Sequence, residues 1–309
     1  MKKVISSLTI YICTLGFLFA QEKGYKEEIL TQGNYDNRYA SYNKAGNKIV
    51  FESNRDGHWQ IYVMSINGNG QKRLIRSEFN DRRPVWHPFK NMIMFESDRK
   101  GYSNLYTYDL DTRQLRILPI PIKGNKSRAQ FAPNGQELVF NHKVGDNNFN
   151  IYFCSVKGKR LEKIRDNAYA NLRPSFSPRG DAFTYYSKKN TDGVNDEIYV
   201  YNIILNKESR LTSSSYQNIT PSWSNKGFHI AYSSTRDDEN GDIYLITNMG
   251  SSPVRVTNNE ELDELPSWSP NDINLLITGN RSGHSQIIKV FLKEPVEDHL
   301  RPILLTNEN

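Results

Sequence analysis

Short apolar runs recur along this chain at a nearly constant interval, and each run follows an aromatic residue in a shared setting. Proline often stands two residues before or after that aromatic residue. The aromatic residues that mark the register are Tyr42, Trp86, Phe131, Phe176, Trp223 and Trp268. The intervals between them are 44, 45, 45, 47 and 45 residues. So regular a period predicts six copies of one structural unit.

Each copy is predicted to contain four short β-strands. Tight turns such as Ala-Pro-Asn-Gly at 132–135 separate the apolar runs, because proline presets φ and glycine accepts a positive φ without steric cost. The runs at 92–95 and 138–140 are apolar at consecutive positions, which indicates strands that are buried on both faces. Blades stacked around a ring have this property. We therefore predict an all-β fold, a six-bladed β-propeller of four-stranded antiparallel blades over residues 21–309.

The repeat pattern also predicts how the ring closes. Most repeats end on Leu-Thr or a related pair, and Thr212 and Thr257 each precede the next register aromatic by eleven residues. Thr31 stands at the same distance before Tyr42, although no complete repeat precedes it. Our hypothesis is that the strand before Thr31 completes the sixth blade. The Leu-Leu-Thr segment at 304–306 competes for this place, and the sequence leaves the choice open.

The first twenty residues have the pattern of a secretory signal peptide. A cationic start at 1–3 precedes a mostly apolar run over 4–19, and the chain becomes polar after Ala20. Serine and threonine make the run too polar for a membrane anchor of about 20 apolar residues. We expect cleavage near Ala20 and a periplasmic or otherwise exported protein with no transmembrane segment. Only Cys154 would then remain, so we expect no intramolecular disulfide.

Charge and composition narrow the possible functions. The chain has 40 basic and 34 acidic residues, a net charge of +6 that falls to +4 once Lys2 and Lys3 are removed. This modest excess is spread thinly, so a nucleic-acid partner is not predicted. Two cysteines exclude a four-cysteine zinc site.

The repeat resembles the TolB-type WD40-like β-propeller repeat. The resemblance rests on Trp-Ser-Pro at 268–270 with Arg281, on Pro-Ser-Phe-Ser-Pro at 174–178, and on the recurring Ile-Tyr and Leu-Thr pairs, and it covers roughly residues 28–309. It implies a periplasmic propeller that binds the peptidoglycan-associated lipoprotein. TolB proteins carry an α/β domain ahead of the propeller. About ten residues separate the signal segment from the first repeat here, so we expect a free-standing relative.

Topology predicts where a partner would bind. In such a blade the loop before strand one and the loop between strands two and three emerge on the same face, where strand one lines the central channel. We call this side the channel-mouth face. It is predicted to carry the arginines Arg38, Arg82, Arg83, Arg128 and Arg173 from the first set of positions, and Arg55, Arg99, Arg236 and Arg281 from the second.

Two interpretations of these arginines stay open. In the first they form a basic crescent over blades 1–4 that receives an anionic partner, because a guanidinium matches a carboxylate in a bidentate fork. In the second they pair with Asp56, Asp81, Asp98 and loop carbonyls. Blades 5 and 6 place acids on the same face, which favours an oriented protein partner. These acids are Asp237, Asp238, Glu239, Asp242, Asp263 and Glu264.

No cofactor is predicted, although two arrangements offer metal ligands. Asp237, Glu239 and Asp242 lie in one acidic loop that calcium could use, but their spacing does not match an EF-hand and a solvated hairpin is the alternative. His58 and His284 occupy equivalent places in Arg-x-Gly-His-x-Gln-Ile segments of blades 1 and 6. Repeat ancestry alone explains this equivalence, and spacing supplies no third ligand.

The sequence contains no recognisable catalytic constellation. It lacks a Gly-x-Ser-x-Gly nucleophile motif, and no carboxylate pair departs from the repeat register. We therefore predict a non-enzymatic protein-binding or scaffold propeller of the cell envelope, without catalytic residues, whose partner is an envelope protein such as a peptidoglycan-associated lipoprotein. The alternative is a channel-centred carbohydrate-active enzyme or glycan-binding protein. Oligogalacturonate lyases, which use similar repeats and a histidine-bound metal, represent that class.

Overall fold

The computed structural model describes residues 25–145, 148–164 and 169–292. In these ranges the chain forms six four-stranded antiparallel sheets and contains no helix. The predicted all-β fold and the six-bladed propeller are therefore confirmed. The predicted signal segment at 1–20 lies outside the described residues.

Each blade from 1 to 5 is continuous in sequence. Blade 1 contains β2 (Asn37–Tyr42), β3 (Lys48–Ser53), β4 (Gln60–Ser65) and β5 (Lys72–Arg73). Blade 2 contains β6 (Asp81–Trp86), β7 (Met92–Ser97), β8 (Asn104–Asp109) and β9 (Leu115–Ile117). Blade 3 contains β10 (Lys126–Phe131), β11 (Glu137–Lys143), β12 (Phe149–Ser155) and β13 (Leu161–Lys163). Blade 4 contains β14 (Asn171–Phe176), β15 (Ala182–Ser187), β16 (Glu197–Asn202) and β17 (Lys207–Arg210). Blade 5 contains β18 (Asn218–Trp223), β19 (His229–Ser234), β20 (Asp242–Thr247) and β21 (Val254–Arg255).

Blade 6 joins the two ends of the described chain. It contains β22 (Asp263–Trp268), β23 (Asn274–Arg281), β24 (His284–Phe291) and, as its outer strand, β1 (Lys26–Ile29). β1 pairs antiparallel with β24, from Lys26 opposite Phe291 to Ile29 opposite Ile288. The Thr31 hydroxyl accepts a hydrogen bond from the Ile287 amide at 2.9 Å. The N-terminal closure predicted from the spacing of Thr31 is confirmed. The competing segment at 304–306 lies outside the described residues.

The core lies between neighbouring blades. In β3 the five residues from Ile49 to Ser53 are all buried, as expected for a sheet covered on both faces. Val50 and Ile61 of blade 1 belong to one apolar cluster with Phe95 and Tyr106 of blade 2. Clusters of the same kind join blade 3 to blade 4 and blade 5 to blade 6. Burial of these side chains, rather than any single bond, holds the ring together.

The innermost strand of every blade is interrupted by a bulge. Its third residue has a positive φ, and the pairing register with the second strand shifts at that point. The six residues are Tyr39, Arg83, Arg128, Arg173, Thr220 and Leu265, with φ between 48° and 61°. None is glycine, so each such conformation costs of the order of 1–3 kcal/mol.

Side chains of neighbouring blades stabilise five of these bulges. The Thr220 hydroxyl of blade 5 accepts a hydrogen bond from the Leu265 amide of blade 6 at 3.4 Å. In the other four, a residue of the second strand accepts a hydrogen bond from the amide of the bulged residue in the next blade. Glu52 accepts from Arg83 at 2.7 Å, Glu96 from Arg128 at 2.5 Å, and Asn141 from Arg173 at 3.0 Å. Thr278 does the same for Tyr39 at 3.3 Å. The bulges therefore link adjacent blades and also project their side chains into the channel.

Candidate functional site

Three arginines at the ends of second strands stabilise their own blades. Arg55 and Arg99 follow β3 and β7, and Arg281 is the last residue of β23. The Arg99 guanidinium pairs with Asp81 at 2.7 Å, and that of Arg281 pairs with Asp263 at 3.0 Å. Arg55 donates to the amide oxygen of Asn37 at 3.0 Å. In each case the partner is the first residue of the innermost strand. We call these three residues the clamp arginines, and the pairing of Arg99 with Asp81 matches the second interpretation of the sequence.

The rim of the channel-mouth face carries a stacked group on blades 1 and 2. The guanidinium of Arg38 lies 5.4 Å from the centre of the Trp59 ring, and that of Arg82 lies 4.8 Å from it. We call Arg38, Trp59 and Arg82 the rim triplet. Arg82 also approaches Glu52 at 3.4 Å, and Arg38 donates to the Ser285 hydroxyl at 3.1 Å. The two arginine side chains remain 35% and 31% exposed, so they are held in place and still accessible.

Four bulge side chains meet inside the channel. Tyr39 of blade 1 lies between Arg83 of blade 2 and Arg173 of blade 4, whose guanidinium carbons are 5.1 Å and 5.0 Å from its ring centre. Arg128 of blade 3 lies over the Phe149 ring at 5.6 Å. We call Tyr39, Arg83, Arg128 and Arg173 the channel group. Thr220 and Leu265 occupy the equivalent positions in blades 5 and 6, so the positive charge is confined to one side of the channel.

The charges of the channel group are unevenly compensated. Arg83 forms an ion pair with Glu96 at 2.6 Å. Burial opposes its charge, but Glu96, Tyr39 and Glu52 outweigh this effect and raise the pKa of Arg83. Arg128 and Arg173 have no carboxylate oxygen within 4.0 Å among the residues that the structure describes. Burial, and then the neighbouring Arg83, lower the pKa of Arg128.

Tyr39 responds to the same field. Burial raises the pKa of its phenol, but Arg173, Arg83 and Arg128 together outweigh burial, so the net shift of the pKa is downward. A buried tyrosine normally shifts upward, as Tyr42 does here because of burial and the charge of Glu28. The centre of the channel therefore favours negative charge.

The channel contains a small central cavity and a wider opening. The central cavity is about 90 Å³ and is lined by the channel group, by prolines such as Pro84 and Pro174, and by Gln130. A cavity of about 420 Å³ opens at the end opposite the channel-mouth face, and all six register aromatics line it. Trp86 and Trp268 also donate their indole N–H groups to carbonyl oxygens of the preceding blade, at 3.2 Å and 3.0 Å. These aromatics therefore link adjacent blades at that end.

The acids of blades 5 and 6 divide into buried and exposed groups. Asp242 is fully buried and pairs with Arg255 at 2.5 Å. Asp263 is fully buried against Arg281, and its burial, only partly offset by that arginine, raises its pKa to about 6. Asp237 and Glu239 are exposed, although Asp237 accepts a hydrogen bond from the Tyr244 hydroxyl at 2.6 Å. Asp242 thus forms an ion pair within its own blade, while Asp237 and Glu239 are exposed to solvent.

The candidate metal ligands are engaged by neighbouring groups. A ring nitrogen of His58 lies 2.8 Å from the Ser77 carbonyl oxygen, and His284 lies 3.8 Å from Asp36. Across residues 25–145, 148–164 and 169–292, no group of three or more His, Cys, Asp or Glu side chains is arranged to hold a metal ion. In these same ranges no helix has the length and apolar character that crossing a bilayer requires.

Sequence analysis missed Tyr39. The register places it at the position of Arg83, Arg128 and Arg173, but a search for charged residues passes over a tyrosine. Only the position of Tyr39 in the repeat could have identified it, because it is the bulge residue of the first repeat. Trp59 stands outside the aromatic register and is half-buried, and its place along the chain gave no signal of its two stacked arginines.

The geometry defines a class, a six-bladed β-propeller whose central channel carries a one-sided basic group. The family described as the TolB beta propeller domain matches residues 18–195 and 142–297, and the chain belongs to this family. A protein TolB homolog from Chlorobium luteolum is 29% identical over 142 residues, which cover 44% of this chain and 30% of that protein. The Tol-Pal system protein TolB from Desulfosudis oleivorans is 29% identical over 116 residues, covering 37% and 25%.

Solved structures show the same fold at lower identity. TolB from Acinetobacter baumannii has a TM-score of 0.63 at 19% identity, covering 83% of this chain and 63% of that one. An oligogalacturonate lyase in complex with manganese has a TM-score of 0.60 at 15% identity, covering 89% and 95%. The matches to the two TolB sequences span less than a third of the length of those proteins.

Proposed function

We propose that the protein is an exported, non-enzymatic binding propeller of the cell envelope that holds an envelope protein at its channel-mouth face. The rim triplet is the observation that carries this proposal. Tryptophan and arginine are enriched among the residues that dominate binding energy at protein interfaces. Here two arginines already stack on the tryptophan, so little side-chain freedom remains to be lost on binding.

The distribution of charge supports an oriented protein partner. Arg38 and Arg82 are accessible on blades 1 and 2, whereas Asp237 and Glu239 are exposed on blade 5, across the ring. Complementary charges on a partner would fix its orientation and speed its association. A uniform polyanion would meet repulsion on the acidic side.

The family relationship supports the cellular setting. One relative is named as a Tol-Pal system protein, and the signal pattern at 1–20 is consistent with export. We therefore propose a periplasmic location after cleavage near Ala20 and a peptidoglycan-associated lipoprotein as the first partner to test.

The test is binding of the purified mature chain to that lipoprotein from the same organism, with affinity purification from envelope extract alongside. Trp59→Ala should weaken binding at least about tenfold, a typical loss for a central interface residue. Tyr216→Ala is the matched control, because Tyr216 is an exposed aromatic residue on blade 5, away from the triplet. Equal binding by wild type and Trp59→Ala would reject the rim triplet as the site. Recovery of no envelope protein by the wild type would reject the function.

A carbohydrate-active enzyme or glycan-binding protein is the alternative class. The likeness to the oligogalacturonate lyase is at 15% identity and concerns the fold alone. Turnover of oligogalacturonate by the purified chain, with or without manganese, would replace our proposal with this one.

A further inference from the structure

Two arginines inside the channel lack the partners that buried charges normally have. Arg128 and Arg173 form no ion pair in the described part of the chain, and the Nε atom of Arg128 is buried without a hydrogen-bond partner. An unpaired guanidinium in a confined site is unfavourable, because the surrounding protein replaces water poorly. Such a group in a native structure calls for an explanation, and an unseen bound ion is one of the recognised ones.

The backbone holds these guanidiniums together at a conformational cost. Arg83, Arg128 and Arg173 all have a positive φ, and side chains from the preceding blade fix their amides. Only Arg83 has a carboxylate partner, Glu96. Glu52 also acts on Arg83, and Glu264 interacts electrostatically with Arg173 without forming an ion pair. Three like charges on adjacent blades are therefore brought close, and only one of them has a carboxylate oxygen within ion-pair distance in the described chain. A positive φ at a non-glycine residue and closely spaced like charges are both unfavourable. Natural proteins keep such features mainly at functional sites.

Tyr39 supplies a hydroxyl to the same place. The Arg83 guanidinium lies 5.1 Å from the centre of its ring, and because a guanidinium only donates hydrogen bonds, the hydroxyl proton remains available to an acceptor. Its ring separates Arg83 from Arg173. The central cavity, at about 90 Å³, is well below the roughly 300–1,000 Å³ of pockets that enclose a whole small molecule. It has room for one functional group and not for an oligosaccharide.

We propose that the channel binds a single carboxylate group, held by Arg128 and Arg173 with the Tyr39 hydroxyl as an additional donor. A planar carboxylate matches the donor geometry of guanidinium, and it would supply the missing negative charge. The group belongs either to a free small acid or to the end of a peptide. This site does not depend on the rim triplet or on any envelope partner, so the two proposals fail separately.

Thermal unfolding of the mature chain in acetate, against chloride at equal ionic strength, tests the site. A ligand that binds only the folded state raises Tm. We expect 100 mM acetate to raise the Tm of the wild type by about 2 °C over chloride. Arg128→Gln and Arg173→Gln should abolish this difference while unfolding cooperatively in chloride. Arg160→Gln, which removes the same charge from an exposed side chain of blade 3, should keep it.

A second measurement does not depend on stability. Acetate beside Tyr39 weakens the positive field of the arginines, so it should raise the pKa of this phenol. Ultraviolet titration of phenolate, as the difference between wild type and Tyr39→Phe, reports this shift. Two results would overturn the proposal: no acetate-specific change in either measurement, or the same change in Arg128→Gln and Arg173→Gln.

The source of the carboxylate is decided by a peptide comparison. Tetra-alanine with a free carboxyl end is tested beside its amidated form and beside acetate. A larger rise in Tm with the free-acid peptide than with acetate assigns the site to a peptide end. An equal rise assigns it to a small acid, and in both cases the amidated peptide should have no effect.

Discussion

The clamp arginines and the channel arginines share a face of the propeller but differ in their partners. Arg99 and Arg281 each reach a fully buried aspartate at the start of the innermost strand of their own blade. Arg128 and Arg173 lie two residues further along such a strand and have no ion pair in the described chain. The first set contributes to the stability of single blades. The second set stores unfavourable electrostatic energy that a ligand would relieve.

This difference shows that residue type and repeat register do not decide the role of an arginine. The clamps work because the strand start offers aspartate or asparagine as an acceptor. In the channel, the bulge turns the arginine side chains toward the axis. The central cavity there is only about 90 Å³, so it leaves little room for acidic side chains beside the guanidiniums. The local environment thus determines whether a guanidinium stabilises the fold through an ion pair or is left without one in the described chain.

The largest effect is expected from removing residues 25–33, which would break both the ring closure and the clamp of blade 6. This deletion removes β1, the Leu30 core contact and the Glu27 partner of Arg281. We expect Tm to fall by more than about 10 °C or cooperative unfolding to be lost, because one sheet edge and its core are exposed. Glu27→Gln is the control, since it removes only the exposed ion pair. An unchanged Tm after the deletion would contradict N-terminal closure.

A clamp arginine should be the next most sensitive point. Arg99→Ala leaves Asp81 fully buried without its cation, and breaking such a pair costs about 3–5 kcal/mol. Chemical denaturation measures the loss of unfolding free energy. The double variant Arg99→Gln with Asp81→Asn should recover much of it, because no isolated charge remains. A loss below about 1 kcal/mol for Arg99→Ala would assign the pair the small value of an exposed salt bridge.

Among the clamp pairs, the one in blade 6 should make the stability of the protein depend on pH. Burial raises the pKa of Asp263 from 3.8 to about 6 in the folded state, although Arg281 offsets part of the effect. Between these values the folded chain holds more protons than the unfolded chain, so this group lowers stability as pH rises from about 4 to about 6. The wild type should therefore lose up to about 3 kcal/mol relative to Asp263→Asn across this range.

Unfolding free energies at several pH values test this prediction. Asp111→Asn, at an exposed position of blade 2, is the matched control for the loss of one carboxylate. A difference between wild type and Asp263→Asn that stays constant with pH, or that changes in the opposite direction, would contradict the raised pKa.

The smallest effect should have the opposite sign. Arg128→Gln removes an unpaired, partly buried charge beside Arg83 and Arg173, so it should raise the unfolding free energy in chloride by about 1 kcal/mol. Arg83→Gln should lower it, because Glu96 would lose its ion pair. Destabilisation by both changes would place Arg128 with the structural arginines and end the contrast between the two sets.

Much of the architecture could be predicted from the repeat. The spacing of the register aromatics predicted six blades, and the eleven residues from Thr31 to Tyr42 predicted the strand that closes the ring. The channel group could only partly be predicted. The register indicated that Arg83, Arg128 and Arg173 share a position, but Tyr39 was missed because nothing in its residue type marks it as a partner of arginine.

The periodic features of this protein could be predicted from its amino-acid sequence: the number of blades, the turns and the buried strands. These depend on local propensity and on apolar periodicity, which are visible in a linear chain. The tertiary structure alone decided which arginine has a partner and which does not. A positive φ at tyrosine, arginine, threonine and leucine has no signal in those residue types, and side chains of the adjacent blade hold five of the six bulges. Pairing, burial and pKa depend on distances between blades, and those distances exist only once the ring has closed.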